Sequence, residues 1–256
     1  MTRHIALFSG GYDSLVATHV AMTSNLADEV LHIDTGIGVP ETQEFVRDVC
    51  DEFGWSLEVR SNEDIPQKAD TYEEWVRKHG FPGADAHLYM YTNLKERVLA
   101  SVATETDGKP HYYTGVRRHE SQNRMGRVEA REETDRFIWH APLCDWRDSK
   151  IEEYMEMHDL PKNPVVENLH MSGECLCGAY AARDEELVML EAEYPEVAEH
   201  IKSLEDDIQS ERGTSEPRCW WGHSSWKEVE KRAATVEEEQ MRLCSDCGFD
   251  AEEDTE

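Results

Sequence analysis

Residues 9–14 read Ser9-Gly10-Gly11-Tyr12-Asp13-Ser14, between a short apolar run, Ile5-Ala6-Leu7-Phe8, and the helix-like start Leu15-Val16-Ala17. A strand, a glycine-rich turn and a helix in that order aim backbone N–H groups and the positive end of a helix at an anion. Adjacent glycines let the backbone close on a phosphate without an intervening Cβ. The hydroxyls of Ser9 and Ser14 add donors, and Asp13 is placed to cap the helix. The loop is not of the Walker type, which carries a Lys after its second Gly; no Lys precedes Lys68. The alternative is a tight strand-to-helix turn that binds nothing.

Three further groups of residues could do chemistry. In Ile33-Asp34-Thr35-Gly36-Ile37-Gly38-Val39-Pro40-Glu41-Thr42 a strand ends on a carboxylate that could hold a ribose hydroxyl or Mg²⁺, although Asp at a turn is common. Arg117, Arg118, Arg124, Arg127, Arg131 and Arg136 lie within residues 117–136 of a very acidic chain. Guanidinium groups bind phosphate or sulfate bidentately. The competing reading pairs them with Glu120, Glu129, Glu132 and Glu133 at i,i+4 spacing on a solvated helix; the position of Arg117 and Arg118 after a strand and a Gly favours a ligand role for at least one of them. Lastly, of seven cysteines, Cys175, Cys177, Cys219, Cys244 and Cys247 fall in the last third. Two short-spaced thiolate pairs, Cys175-Leu176-Cys177 and Cys244-Ser245-Asp246-Cys247, can hold zinc or an iron–sulfur cluster, or can be unlinked thiols. Cys50 and Cys144 read as packing residues.

The elements that must position these groups alternate. Strands are expected over residues 4–8, 30–33, 56–59, 111–115 and 137–141, and helices over 14–24, 40–53, 72–79, 88–105 and 149–158. Alternation of this kind implies an α/β fold, a doubly wound, mostly parallel sheet of about five strands with helices on both faces. In such a sheet ligands sit beyond the carboxyl ends of the strands, which brings residues 9–14, Asp34-Thr35-Gly36 and the segment after Gly115 to one edge. Past residue 165 the character changes to helices over 183–194 and 196–210 and a Cys-rich tail. The expected division is a nucleotide-binding domain over residues 1–165 and a helical, Cys-rich segment over 166–256.

The motifs, taken together, resemble a known family. Residues 9–14 match the SGGxDS signature of the PP-loop pyrophosphatases, which grip the pyrophosphate of ATP or the phosphosulfate of a sulfonucleotide. With residues 33–42, similar to an xDTGxxxPET segment, the chain resembles the phosphoadenosine-phosphosulfate (PAPS) reductase family of that superfamily, with its adenine nucleotide alpha-hydrolase-like fold. Phe81-Pro82-Gly83 with Leu94-Lys95, Gly115-Val116-Arg117-Arg118-His119-Glu120-Ser121, Pro142-Leu143-Cys144-Asp145-Trp146 and Leu160-Pro161-Lys162-Asn163-Pro164 resemble further family motifs in the family's order, over roughly residues 4–180. The resemblance implies a nucleotide or phosphate site built from Ser9, Gly10, Gly11, Asp13, Ser14, Asp34, Thr35, Gly36, Lys95, Gly115, Arg117 and Arg118. Asp13 and Cys247 are the catalytic candidates, because family reductases attack sulfur with a Cys in a terminal E-C-G-x-H segment. Here Cys247 sits in Asp246-Cys247-Gly248-Phe249 with no His after it, and the adjacent Cys-Cys pair of cluster-bearing relatives is missing.

Composition limits the partners. The net charge is −29, from 55 acidic and 26 basic residues, of which nine are Lys and 17 Arg. Such a surface suits a salt-rich cytosol, where screening shortens to about 3 Å at 1 M, as in halophilic archaea or their viruses; an ordinary acidic protein is the alternative. It opposes broad nucleic-acid binding. No run reaches the roughly 18 apolar residues of a membrane span, and the first strand follows Met1-Thr2-Arg3 directly, so a cytoplasmic protein without a leader is expected.

Three functions follow from the resemblance. The first is reduction of a sulfonucleotide (PAPS or its 3′-dephospho form, APS) to sulfite through a Cys S-sulfonate, with a thioredoxin-like reductant. The second is an ATP pyrophosphatase that uses Mg²⁺ to adenylate an acceptor for thiolation or phosphorothioation, with a sulfur donor and a nucleic acid among the acceptors. The third is a nucleotide-binding protein with structural zinc. The oligomeric state stays open, a homodimer among the alternatives.

Overall fold

A computed structural model describes residues 2–66, 69–120, 128–214 and 216–223. A six-stranded sheet forms the centre, in the order β3-β2-β1-β4-β6-β5. The strands are β1 (His4–Leu7), β2 (Glu29–Asp34), β3 (Leu57–Ser61), β4 (His111–Tyr113), β5 (Arg131–Glu133) and β6 (Ile138–His140). All neighbours pair in parallel except β5, which runs antiparallel to β6 and puts Arg131 opposite His140. The expected α/β architecture is present, with six strands in place of five. The sixth was hidden in the charged run: Arg131 and Glu133 are paired at 2.9 Å, two residues apart on an edge strand, and not i,i+4 on a helix.

The central strands are buried on both faces. Ile5 and Ala6 of β1, and Val30, Leu31 and Ile33 of β2, are buried apolar residues, as expected where helices cover a parallel sheet. Those helices are α1 (Tyr12–Thr23), α2 (Pro40–Phe53), α3 (Tyr72–His79), α4 (His87–Tyr91), α5 (Arg97–Thr104), α6 (Asp148–Met157), α7 (Pro164–Leu169), α8 (Arg183–Glu193) and α9 (Pro195–Arg212). Several ends are written in the sequence. Helix α2 starts on Pro40 and stops at Gly54, whose φ of 68° is the left-handed cap geometry. Helix α3 opens with a capping box: Glu74 N–H donates to the Thr71 hydroxyl, and Thr71 N–H to the Glu74 carboxylate.

The helix expected over 88–105 is interrupted. Thr92–Glu96 form a π-turn between α4 and α5, and Lys95 lies in it. Such insertions re-aim side chains and cluster at functional sites.

Chain order reverses beside β1. From β1 the chain steps outward to β2 and β3, then returns to lay β4 on the other side of β1. The crevice beyond the carboxyl ends of β1 and β4 is therefore the topological switch point.

The segment after residue 165 packs onto this frame. One apolar cluster joins Ile37, Val39, Phe81 and Leu94 to Leu176, Cys177, Ile201 and Trp221. The Trp221 indole N–H donates to the Leu176 carbonyl at 2.7 Å, and its backbone N–H to Glu205 at 2.8 Å. Gly178 lies flat on this ring: a Cβ there would come within 2.6 Å of it.

Candidate functional site

The loop after β1 is closed on itself. The Ser9 hydroxyl donates to the Ser14 hydroxyl at 2.9 Å, which donates to the Gly11 carbonyl at 2.8 Å. Gly10 has φ +93°, and a Cβ there would meet Thr42 Cγ2 at 2.6 Å. Its carbonyl accepts from the amide of buried Asn163 at 3.0 Å, while the Asn163 side-chain oxygen caps α7 by accepting from Val165 N–H. Asp13 does not cap α1. Gly11 holds the cap position with no side-chain hydrogen bond there, and the Asp13 carboxylate faces across the crevice to Arg117, which donates to it at 2.8 Å from Nε.

Arg117 is 6% exposed. Its guanidinium also reaches Asp148 at 2.6 Å and the Trp146 carbonyl at 3.3 Å. Burial opposes the charge, but Asp13 and Asp148 outweigh it and hold the guanidinium charged. Gly115, after β4, has no room for a side chain: a Cβ would lie 2.6–2.7 Å from backbone atoms of Asp13 and Ser14. The turns after β1 and β4 are thus in direct backbone contact.

Beside that contact lies a cleft partly open to solvent. Leu7, Leu31, Ile33, Leu99 and Trp139 form an apolar wall, and Ser9, Ser14, Lys95, Glu174, Glu129 and Glu132 bring polar groups to it. An apolar cavity with a few convergent polar groups is the ordinary form of a small-molecule site. Lys95 Nζ is 2.7 Å from the Glu174 carboxylate, their side chains 14% and 5% exposed.

Residues 172–176 are laced to the turn after β2. The Thr42 hydroxyl donates to the Ser172 carbonyl, Val39 N–H to Gly173, the Thr35 hydroxyl to the Glu174 carbonyl, and Leu176 N–H to Ile37. At Gly38 a Cβ would meet the Glu174 carbonyl at 2.5 Å. Thr35 is therefore structural in its hydrogen bonding. Asp34 accepts from Gly36 N–H at 2.9 Å and from Gln43 at 3.2 Å. Asp34 and Gly36 border a second, open cavity beside the N-terminus of α2, with His32 and Glu174. Glu174 lines both cavities and Asp34 only this one.

Arg118 turns away from the glycine loop. It donates to the Val128 carbonyl at 2.6 Å and pairs with Asp145. Arg136 is 4.0 Å from Glu96; Arg124 and Arg127 lie outside the described residues. So do Cys244 and Cys247. Among the described residues no three His, Cys, Asp or Glu side chains gather as metal ligands, so Cys219 does not complete a set with Cys175 and Cys177. The neighbouring Cys177 and the Lys95 ammonium favour the Cys175 thiolate against its burial, while Cys177 is pushed up. Cys50 and Cys144 are buried and packed, as expected.

Two participants were not singled out beforehand. Glu174 had a usable signal, an acid between Gly173 and Cys175 in a segment with cysteines; Asp148, at the start of α6, had none.

The chain is similar to known proteins. Residues 3–172 match the family model for the phosphoadenosine phosphosulfate reductase domain. The phosphoadenosine 5′-phosphosulfate reductase of Alkalilimnicola ehrlichii is 27% identical over 165 residues, covering 64% of each chain. That of Xylella fastidiosa strain M12 is 30% identical over 173 residues, 66% of this chain and 70% of its own. The chain thus spans a little under two thirds of the first of these relatives. A crystal structure of the Candida auris PAPS reductase in a phosphate complex aligns with TM-score 0.47 and 20% identity over 65% of this chain and 78% of that one. The match covers most of the chain and includes both turns that meet at the switch point, so this protein belongs to the phosphoadenosine phosphosulfate reductase domain family.

Proposed function

We propose that this protein binds an adenine sulfonucleotide in the cleft between the ends of β1 and β4 and releases its sulfuryl group as sulfite, with a dithiol protein of the thioredoxin type as reductant. The observation that carries this reading is the meeting of Ser9-Gly10-Gly11 and Gly115-Val116-Arg117 beside an apolar cleft at the switch point, in a chain of this family. Ser9, Gly10, Gly11 and Ser14 offer backbone and hydroxyl donors to the phosphosulfate. Asp13 and Arg117 hold the two turns together, and Lys95 supplies the nearby cation. The apolar wall of Leu31, Ile33 and Leu99 suits a purine face. Asp34, Thr35 and Gly36 support the adjoining turn, and Arg118 orders the segment beyond β4. Cys247 remains a nucleophile candidate on resemblance alone.

The test is sulfite release from PAPS and APS by the full-length protein with a thioredoxin system. Sulfite formation that is lost in Ser14→Ala supports the reading. Pyrophosphate release from ATP, with no sulfite from either sulfonucleotide, would replace it with adenylation of an acceptor. Binding of nucleotide with no turnover of any of the three would leave a binding protein.

A further inference from the structure

Carboxylates outnumber cations on the walls of the nucleotide cleft. Among the described residues Lys95 is the only lysine or arginine there, against Glu129, Glu132 and Glu174. Lys95 Nζ is already 2.7 Å from the Glu174 carboxylate, whose side chain is 5% exposed. The fold fixes Glu174 in place: its carbonyl accepts from the Thr35 hydroxyl, its N–H donates to the Ser172 hydroxyl, and Gly38 packs against its carbonyl with no room for a Cβ. The arginines of the turn after β4 are engaged with protein partners. Arg117 holds Asp13 and Asp148, and Arg118 holds the Val128 carbonyl and Asp145. His140 also lines the cleft; burial and then His111 push its imidazole down to about 4, so it is uncharged at neutral pH.

The carboxylates stand toward both ends of the cleft. Glu174 docks on the turn after β2, the strand that gives Leu31 and Ile33 to the wall. Glu132 lies on the edge strand β5, opposite Trp139 of β6, with Glu129 three residues before it. The glycine loop follows β1, which lies between β2 and β6 in the sheet. A nucleotide whose phosphosulfate sits on Ser9 and Ser14 therefore runs its ribose toward carboxylates whichever way it lies across the strands. A 3′-phosphate monoester would add about 1.5–2 negative charges there at pH 7. Charges in a partly buried site are screened less than those in open solvent, so the repulsion is felt. A 3′-hydroxyl, by contrast, is a donor, and an ionised carboxylate is an acceptor.

We infer that this cleft selects the sulfonucleotide with a free 3′-hydroxyl, APS, over its 3′-phosphorylated form, PAPS, with Glu129, Glu132 and Glu174 as the groups that discriminate. The inference rests on the function proposed above and narrows its substrate. The relatives compared above are named for the 3′-phosphorylated nucleotide, so this chain departs from them in preference. The phosphosulfate contacts are common to both nucleotides, and only the 3′ substituent meets the carboxylates differently. The discrimination therefore falls on KM for PAPS, and kcat is alike for the two.

The experiment measures sulfite release by the full-length protein from APS and from PAPS with a thioredoxin system, at about 0.1 and 1 M salt. The kcat/KM for APS should exceed that for PAPS by about tenfold or more at low salt, as like charges facing each other across a binding site require, and the gap should narrow at high salt. The double variant Glu129→Gln with Glu132→Gln and, separately, Glu174→Gln should each shrink the gap by about threefold by lowering KM for PAPS, whereas loss of a merely structural residue would weaken both nucleotides alike. Calorimetric titration with AMP and with adenosine 3′,5′-bisphosphate reads the same order of preference without turnover and reports that each variant is folded. Use of PAPS equal to or better than that of APS, or a gap unchanged in both variants, overturns the inference and leaves the proposed function standing. Sulfite from neither nucleotide overturns the function and this inference with it.

Discussion

Gly115→Ala should damage nucleotide binding more than any other single methyl group added in the two turns. Its Cβ would stand 2.6 Å from the Asp13 carbonyl carbon and 2.7 Å from the Asp13 oxygen and Ser14 nitrogen, where ordinary contact begins at 3.4 Å. The turns must part by about 0.8 Å, the difference between 3.4 and 2.6 Å. No flexible side-chain end is there to yield, because all three atoms are backbone in the first turn of α1. Helix α1 cannot back away freely either, since Ser14, Leu15, Val16 and Ala17 are buried. Overpacking of this kind costs about 1–3 kcal/mol, or about 2–4 °C of thermal midpoint per kcal/mol at this size. The displaced atoms belong to the anion loop, so at least a tenfold loss of nucleotide affinity is expected, equivalent to about 1.4 kcal/mol. Gly36→Ala is the control. Gly36 has φ +72° and nothing within 4 Å of an added Cβ, so it pays only backbone strain, about 1–2 kcal/mol. Calorimetric titration with an adenine nucleotide and thermal melts of both variants decide the matter. If Gly115→Ala binds within twofold of wild type, or Gly36→Ala binds more weakly than it, the backbone contact does not set the loop.

Three other outcomes are expected. Lys95→Met removes the 2.7 Å ion pair of the nearly buried Glu174 carboxylate and should cost about 3 kcal/mol in chemical denaturation, whereas Lys95→Met with Glu174→Leu should recover most of that, as for other buried pairs; equal losses from the single and double variants would refute it. Stability should fall on acidification from pH 6.5 toward 4: burial and then His111 lower the His140 imidazole from 6.5 to about 4, and His111, His19 and His32 are also lowered. The unfolded chain takes up protons in that window that the folded chain refuses, and stability is at its plateau above pH 6.5; thermal melts across the range, with His140→Gln flattening the slope, check it. With a net charge of −29, the thermal midpoint should rise as salt goes from about 0.1 to 1 M and the screening length shortens from about 10 to 3 Å; a midpoint that does not move would show that self-repulsion is not a main cost.

Much of the fold was legible because local signals agreed with the tertiary ones. Pro40 and Gly54 bound α2, Thr71 and Glu74 open α3, and apolar runs at residues 5–7 and 30–33 are strands covered on both faces. The failures occur where local and tertiary demands part. The apolar periodicity of residues 88–105 continues through the π-turn, since a π-turn adds a residue without removing the pattern; what shifts is the direction of Lys95, and only packing against Glu174 reveals that. Strand β5 is three charged or half-exposed residues whose pairing partner, β6, lies beyond a turn. Nothing within Arg131–Glu133 distinguishes an edge strand from a solvated helix. Helix α7, by contrast, could have been read: Asn163 before Pro164 is a cap followed by a first-turn proline.

The site shows the same division more sharply, because motif spacing reports which residues are near the strand ends and not what they touch. Asp13 and Arg117 were both named as anion-site residues, yet each is the other's partner across the crevice. Their charge is largely spent in joining two turns; on the function proposed above, the phosphate is left to backbone N–H groups and the Ser9 and Ser14 hydroxyls. Asp34, Thr35 and Gly36 fall in the right turn, but the segment of residues 172–176 consumes the Thr35 hydroxyl and sends Asp34 toward a second cavity. That segment is 130 to 139 residues away in sequence from the residues it binds, and no periodicity connects the two. The same docking sets Cys175 behind Lys95. A spacing of one residue between two cysteines reads as a ligand half-site when taken alone, and among the described residues no third side chain joins Cys175 and Cys177 in a metal-ligand group. Long-range hydrogen bonds, invisible in the order of residues, therefore set where the turn after β2 and residues 172–176 meet.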